Sequence, residues 1–586
     1  MCGIIGYIGP KKASQVILSG LQKVEYRGYD SAGMAVFDGS KVSVIKDAGK
    51  LGAIHAKHDF LKLEGGIGLG HTRWATHGLP CERNAHPHAD CSGKVAVVHN
   101  GIIENHRALK EEMVKKGHHF SSDTDTEIVA HLVEQGMNDG RSAEAAVRAA
   151  VARLDGAYAL GILIAGTNAL YLARRHAPLI IGQGKAGEMF FSSDIPALLE
   201  YTRDFILLNE GDVARIDPRG AIVWGADGHE AKRETLHVDW TPQMAAKGGY
   251  EHFMLKEILE QPAALSSAVS ADVSAALPIL RASKQLALVA CGTSYYAGLV
   301  FQYLMHRQGK PCAAYIGSEY SSWTTGQEDV LIAVSQSGET ADTLGAVRLA
   351  KEKGAKIIAI TNVVGSTLSR EADVTLFIGV GPEVGVVATK SFTGQLCVLC
   401  KLAYTLGANK QGLADLKQIP SLSAKILEGK HADIQKLAKA FIKRRDFFFI
   451  ARGINYPCAL EAALKLKEIT YLHAEAYPGG ELKHGPLSML EKGVPVIALA
   501  PAGPLAPKME SNIKECKARE AELVVLSDDE AMRAEGARSL LMPTVPPELV
   551  PLYYILPLQL LAYHMTVLAD KDPDQPRNLA KSVTVE

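Results

Sequence analysis

The chain has 586 residues, with 63 basic against 64 acidic side chains and a formal charge of -1. That length exceeds what one hydrophobic core serves and predicts two to four domains. The balanced charge supplies no field for nucleic acid or a membrane surface, so an anionic substrate has to be met locally.

Met1, Cys2 and Gly3 lead straight into the strand-like run Ile4 to Ile8. No basic segment precedes an apolar stretch there, so the N-terminus is expected to be structural rather than a signal. Nine cysteines, at 2, 81, 91, 291, 312, 397, 400, 458 and 516, are odd in number and scattered. This is unlike a secreted disulfide scaffold and predicts a reducing cytoplasm. Up to about residue 240, short β-branched runs alternate with turns, and helices are expected at 13–25, 125–136 and 142–154. Thr241 to Gly249, with Pro242 and Gly248-Gly249, reads as a connector into a helix at 253–260. A first domain is therefore expected at 1–240 and a linker at 241–252.

Beyond the linker the order becomes strand, loop, helix, as in a doubly wound parallel sheet, starting at Leu286 to Ala290. The order occurs twice. Ala290 to Tyr295 aligns with Ala451 to Tyr456, Leu331 to Gly338 with Val496 to Gly503, Lys356 to Thr361 with Glu522 to Ser527, and Ala372 to Glu383 with Ala537 to Glu548, at offsets of 161 to 166. A near-constant offset over four elements argues for two copies of one domain, placed at 253–425 and 426–572 with a tail at 573–586. The charge-free runs Leu286 to Met305 and Leu549 to Ala569 approach membrane-span length. Glycine and hydroxyl residues cut the first, and Pro551, Pro557, Gln559 and His564 the second, so both read as buried elements without a membrane.

The copies differ after their strands. The first keeps Thr293 and Ser294, then Ser335, Gln336, Ser337 and Thr340, where the second has Ile454, Asn455, Ala500, Pro501 and Ala502. Hydroxyls and backbone N–H groups at strand C-termini suit a phosphate dianion. Only the first copy is expected to hold one. Ordinary helix capping is the alternative for Ser335 to Thr340.

In the N-terminal domain Cys2 becomes the first residue once Met1 is removed, giving a thiol whose own α-amino group can take its proton. A small buried cysteine is the competing reading. The segment His71-Thr-Arg73-Trp74-Ala-Thr76-His77-Gly78 carries the guanidinium, indole and hydroxyls expected where an amino-acid carboxylate is clamped. Asn100 and Gly101 end a hydrophobic strand with an amide donor beside a backbone N–H, a suitable oxyanion hole. Asp125 places a carboxylate at a helix start. Metal binding by His71, His77, His86, His88 and His99 is weighed and set aside for want of a recognised zinc spacing. Cys397 and Cys400 read as packed thiols one helical turn apart. Neither a metal nor a cofactor is expected.

Cys2-Gly-Ile-Ile-Gly6, Tyr26-Arg27-Gly-Tyr-Asp-Ser-Ala-Gly33, His71 to Gly78 and His99-Asn-Gly101 resemble the N-terminal-nucleophile glutamine amidotransferases. With Cys291-Gly-Thr-Ser294, Ser335 to Thr340, Glu475-Ala-Tyr477, Glu481-Leu-Lys-His-Gly485 and the tail Gln575 to Glu586, the whole chain resembles the glucosamine-6-phosphate synthase family. The resemblance implies an αββα glutaminase sandwich followed by two flavodoxin-like sugar-isomerase (SIS) domains. It implies Cys2 as nucleophile, Asn100 and Gly101 as oxyanion donors, Arg73 on the glutamine carboxylate and Asp125 on its ammonium. Trp74 then gates the ammonia path, while Arg27, Thr76 and His77 support the pocket.

For fructose 6-phosphate the resemblance implies Ser294, Ser335, Gln336, Ser337 and Thr340 on the phosphate, and Thr293 and Val386 along the sugar. Glu468 is implied as the C1/C2 proton shuttle, Lys465 as its assistant, His484 as ring opener and Lys581 as the imine-forming amine. A homodimer is implied, with His484 reaching the partner's sugar site. From spacing alone, Lys465 and Glu468 read as a solvent salt bridge, and Lys581 stands in a tail whose ordinary expectation is disorder. One departure is visible: Gly385-Val-Val-Ala-Thr-Lys390 carries Ala388 where the family commonly has serine. Three rivals stay open: another amidotransferase of this nucleophile class, such as an amidophosphoribosyltransferase; a sugar-phosphate isomerase or deglycase with an auxiliary domain; and a non-catalytic sugar-phosphate sensor.

Overall fold

The β-branched runs of the first half pair into two antiparallel sheets in a computed structural model that describes residues 2–75, 78–323 and 328–583. One sheet orders Thr235–His237, Asp204–Leu207, Ile180–Gln183, Met189–Ser192, Gly3–Ile8, Ile67–Arg73, Ser31–Phe37 and Val42–Ala48. The other orders Gly220–Trp224, Val213–Asp217, Leu170–Arg175, Gly156–Ile164, Val95–Ile103 and His88–Ala89. Alternate residues of each strand face opposite sides, so each sheet has two apolar faces to bury. Ile4, Ile8, Leu69, Ala96, Val98 and Leu163 fill the space between the sheets. The helix Ala13–Val24 covers the outer face of the first sheet with Val16, Ile17 and Leu21. His106–Lys115, Glu127–Asn138 and Ala143–Val151 cover the second. The result is the expected four-layer αββα sandwich.

Contacts divide the chain into two units, Met1–Ala245 with Ala580–Glu586, and Ala246–Leu579. The second unit holds two all-parallel sheets. One runs Cys312–Ile316, Leu286–Ala290, Val330–Val334, Lys356–Thr361, Val374–Phe377, and the other His473–Pro478, Asp446–Ala451, Pro495–Leu499, Glu522–Ser527, Arg538–Leu541. In both, the chain-order sequence is second, first, third, fourth, fifth, the flavodoxin-like arrangement. The repeat expected from the constant offset is therefore a repeat of sheet topology. Both copies also turn sharply after the first strand at a left-handed glycine, Gly292 (φ 53°) and Gly453 (φ 56°). In the first copy this turn starts a helix at Gly292, three residues before the expected Tyr295, and brings Thr293 and Ser294 into its first turn.

The two repeats share one hydrophobic core running from Met254 to Met565. The helix Ile419–Phe441 passes unbroken through residue 425, where the sequence places the division between them. Of the first charge-free run the strand Leu286–Ala290 is fully buried while the helix after it is partly exposed, and the second run forms Val550–Leu568, a helix enclosed through Thr566. Among the described residues no single helix is long and apolar enough to cross a membrane. All nine cysteines carry free thiols.

Candidate active sites

In the N-terminal unit, interior strands of the two sheets converge on Cys2. Gly3 pairs with Thr72, which sets the Cys2 thiol beside the end of the strand Ile67–Arg73. The Trp74 N–H donates to Cys2 Sγ at 3.2 Å. The Cys2 carbonyl accepts from Asn100 Nδ2 at 3.0 Å and from Arg27 Nε at 3.2 Å. Asn100 is oriented by His71, whose Nε2 lies 3.2 Å from Asn100 Oδ1 and 3.0 Å from the His99 carbonyl. Burial pushes His71 down to about 3, so the ring is neutral and its single N–H at Nε2 serves both oxygens. The Asn100 amide nitrogen is thereby left pointing to Cys2. Burial pushes the Cys2 thiol up, opposed by the Trp74 N–H, Arg73 and Arg27.

A small pocket at this thiol is lined by Arg73, Trp74, His99, Gly101, Thr124 and Asp125 among others. A guanidinium and a carboxylate in one pocket suit a zwitterionic amino acid. Asp125 is held by the Ile103 N–H at 2.7 Å. Gly101 has φ 122°, and a Cβ there would stand 2.0 Å from the Ala157 carbonyl, so no other residue fits. Arg27 is no part of the pocket wall; it bridges the Cys2 carbonyl and Asp194, 2.8 Å from Nη1. Thr76 and His77 lie outside the described residues.

Of the histidines weighed as metal ligands, His77 lies outside the described residues, and His71, His86, His88 and His99 each engage a neighbouring group through one ring nitrogen or ring face. His88 Nε2 meets Thr124 Oγ1 at 3.0 Å, His99 Nδ1 meets Thr126 Oγ1 at 2.9 Å, and His86 stacks on His71 with centroids 4.2 Å apart. Burial holds His86 and His88 well below the ordinary histidine range.

In the second unit the helix Tyr456–Thr470 of the second repeat packs near the helix Gly292–Arg307 of the first. Lys465 is fully buried at that junction. Its Nζ lies 2.8 Å from Glu468 Oε2, 3.3 Å from Glu461 Oε1 and 3.1 Å from Thr293 Oγ1, and Thr293 in turn lies 3.2 Å from Glu461 Oε1. The solvent salt bridge expected from spacing alone is thus corrected to a buried cluster, because the helix turns this face toward the other repeat. Burial alone would lower the Lys465 ammonium, but Glu461 and Glu468 reverse that and hold it above its ordinary range. Burial raises the Glu461 carboxyl to about 8 against the pull of Lys465.

Glu461 is not among the residues the sequence singles out. Its one signal is a carboxylate inside the apolar run Tyr456 to Leu466, four residues before Lys465. Gln395 is also missed; its Nε2 donates to Ser294 Oγ at 3.0 Å within the core.

The Ser335 loop is organised for something other than capping. Thr340 occupies the cap position of Ala341–Glu352 without a side-chain cap bond, and its Oγ1 pairs with Ser335 Oγ at 2.9 Å. Ser335 Oγ also accepts from the Gly338 N–H at 3.1 Å, and Ser337 Oγ from the Glu339 N–H at 3.2 Å. The Gln336 carbonyl accepts from Asn362 N at 3.0 Å. Val386 is buried in a loop shaped by carboxylates: Glu257 accepts from Val384 N and Gly385 N, and Glu383 from Thr389 N and Ser391 N. Ala388 stands half-buried between them. His484 is exposed at the end of Gly479–His484, and no hydrogen bond joins it to the Lys465 cluster among the described residues. Lys581 groups with the N-terminal unit.

A glutamine amidotransferase domain model matches residues 71–200, and a SIS domain model matches twice, at 279–404 and 440–569. Two relatives named glutamine–fructose-6-phosphate aminotransferase (isomerizing) align over the full length of both chains, at 49% identity in Pyrococcus horikoshii and 45% in Methanothermobacter thermautotrophicus. The solved C-terminal domain of glucosamine-fructose-6-phosphate aminotransferase from Francisella tularensis is 36% identical with a TM-score of 0.54, covering 56% of this chain and 100% of that one.

Proposed function

The chain belongs to the glutamine–fructose-6-phosphate aminotransferase (isomerizing) family, and from that membership we infer the reaction glutamine plus fructose 6-phosphate to glutamate plus glucosamine 6-phosphate. The observation that carries the reading is the pairing in one chain of a nucleophile pocket with charges for an amino acid and a doubled sugar-isomerase fold with a buried lysine-carboxylate cluster.

In the N-terminal unit Cys2 attacks the glutamine carboxamide, its proton passing to its own α-amino group once Met1 is removed. Asn100 and the Gly101 N–H stabilise the oxyanion. Arg73 binds the α-carboxylate and Asp125 the α-ammonium. Trp74 gates release of ammonia, Arg27 holds the Cys2 backbone in place, and Thr76 and His77 complete the pocket. Water then cleaves the thioester to glutamate.

At the sugar, Ser294, Ser335, Gln336, Ser337 and Thr340 take the phosphate, and Thr293 and Val386 flank the chain of carbons. Lys581 forms an imine with the C2 carbonyl, which ammonia displaces. Glu468, held by Lys465, moves the proton between C1 and C2. The exposed His484 opens the ring in the sugar site of the second copy in a homodimer. The nine free thiols favour the cytoplasm.

Supplying glutamine labelled at its amide nitrogen with fructose 6-phosphate, and following the product by NMR, tests the reading. Label on C2 of an amino sugar phosphate supports it; label appearing only as free ammonium overturns it.

A further inference from the structure

A second cluster in the N-terminal unit plays no part in the chemistry above. Cys91, His118, His131 and Glu134 each turn one ligand atom toward a common point, and the four atoms all lie within 4.8 Å of one another. They come from three places in the fold: Cys91 from the turn before the strand Val95–Ile103, His118 from the loop after His106–Lys115, and His131 with Glu134 from one face of Glu127–Asn138.

We propose that these four residues form a tetrahedral structural zinc site. Zinc bonds of about 2.3 Å to sulfur and about 2.0 Å to nitrogen or oxygen separate tetrahedral ligands by about 3.3 to 3.6 Å. Cys91 Sγ lies 3.9 Å from His118 Nδ1 and 3.7 Å from His131 Nδ1. Glu134 Oε2 lies 2.9 Å from the first nitrogen and 3.2 Å from the second. Adjustments of a few tenths of an ångström bring these four separations to the edge lengths of a zinc tetrahedron, and the remaining two are no longer than 4.8 Å. One thiolate, two imidazoles and one carboxylate are a donor set that suits zinc, and the exposed Cys91 leaves a way in.

The surrounding groups orient the ligands as a metal requires. Gln135 Nε2 donates to Asp139 Oδ1 at 2.6 Å, which turns Gln135 Oε1 to His118 Nε2 at 3.0 Å. With its Nε2–H committed there, His118 presents the Nδ1 lone pair to the centre, facing a carboxylate oxygen. A proton on Nδ1 would satisfy that one contact as an ion pair, whereas a metal ion engages His118, His131, Glu134 and Cys91 together. His131 Nε2 faces Glu127 Oε1 at 3.6 Å, a carboxylate behind the ring but beyond hydrogen-bond distance. Cys91 Sγ accepts the His119 N–H at 3.3 Å, as a thiolate ligand does. Glu134 Oε2 also faces the Cys91 N–H at 3.3 Å, so one oxygen would otherwise serve three nitrogens.

The consequence is a brace beneath the glutamine pocket. The helix carrying His131 and Glu134 begins at Glu127, two residues after Asp125. Glu127 also holds Ser121 N and Ser122 N at 2.7 Å, so an ion fixing this helix fixes the segment that presents Asp125.

The full-length protein, stripped with chelator, is dialysed against zinc, and bound metal is measured by atomic emission alongside Cys91→Ser and His118→Gln. Cobalt serves as a visible probe of thiolate ligation. The site predicts about one tightly held zinc per wild-type chain, a thiolate-to-cobalt charge-transfer band, and a zinc-dependent rise in Tm, each lost in Cys91→Ser. Cys91 is exposed, so its serine variant tests the site without disturbing the core. Zinc uptake and Tm that are the same in wild type and Cys91→Ser, or a cobalt complex without the thiolate band, would overturn it.

Discussion

Thr293 Oγ1 sits 3.1 Å from Lys465 Nζ, joining the first turn of a helix in one sugar-isomerase repeat to the buried helix of the other. Each repeat has the same sheet, yet each supplies only part of the polar cluster. Thr293 has Ile454 as its counterpart in the second copy, so the cluster is asymmetric and occurs once in the unit.

Lys465→Met keeps the length of the side chain and removes the charge between Glu461 and Glu468. Breaking a buried ion pair from one side costs about 3–5 kcal/mol. The expected result is a lower unfolding midpoint for the second unit and loss of amino sugar formation, with glutamine hydrolysis retained. Calorimetry and separate glutamate and hexosamine assays check both halves.

Glu461 gives a pH signature. Its folded pKa of about 8 lies above its unfolded value, so the folded chain binds the extra proton between the two. The stability from this group is full below the unfolded value and is lost as pH rises through about 8, at up to about 1.4 kcal/mol per pH unit. Glu461→Gln mimics the protonated acid. Denaturation midpoints of the variant should fall less steeply than those of wild type from neutral pH to pH 8; parallel slopes would count against a protonated Glu461.

Asn100→Ala removes the amide aimed at Cys2 while leaving the sugar site alone. Loss of one oxyanion donor costs about 10²–10³ in kcat. Glutamine-dependent turnover should fall by that factor, and turnover with ammonium in place of glutamine should not change.

Ala388→Ser adds a hydroxyl to the loop that holds Val386. A hydrogen bond to a charged group contributes about 1.5 kcal/mol, or about tenfold in affinity. A lower KM for fructose 6-phosphate with unchanged glutamine kinetics is expected; an unchanged KM would mean that the loop N–H groups already supply the contact.

The fold was largely legible because it is written in local pattern. Near-constant offsets from Ala290 and Ala451 onward marked the repeat, and β-branched runs marked the strands. The short motifs carrying Cys2, Arg73, Asn100 and Asp125 were visible in the sequence, although Asn100 lies inside the strand Val95–Ile103 rather than at its end and Asp125 stands two residues before a helix. The burial of Lys465 was not, since i,i+3 spacing is the same on a wet face and on a buried one, and only packing against the other repeat decides. Glu461 hid for the same reason. The Cys91, His118, His131 and Glu134 cluster hid because its ligands are spread over 44 positions and no short spacing announces them.

The central claim is that one chain couples glutamine cleavage at Cys2 to amination of fructose 6-phosphate. Glutamate and glucosamine 6-phosphate measured together, for wild type and Cys2→Ala, test it most directly. Equal yields in wild type, loss of both in Cys2→Ala, and rescue of the amino sugar by ammonium are the predicted result. Amino sugar formed from glutamine by Cys2→Ala, or glutamate released by wild type without amino sugar, would contradict it.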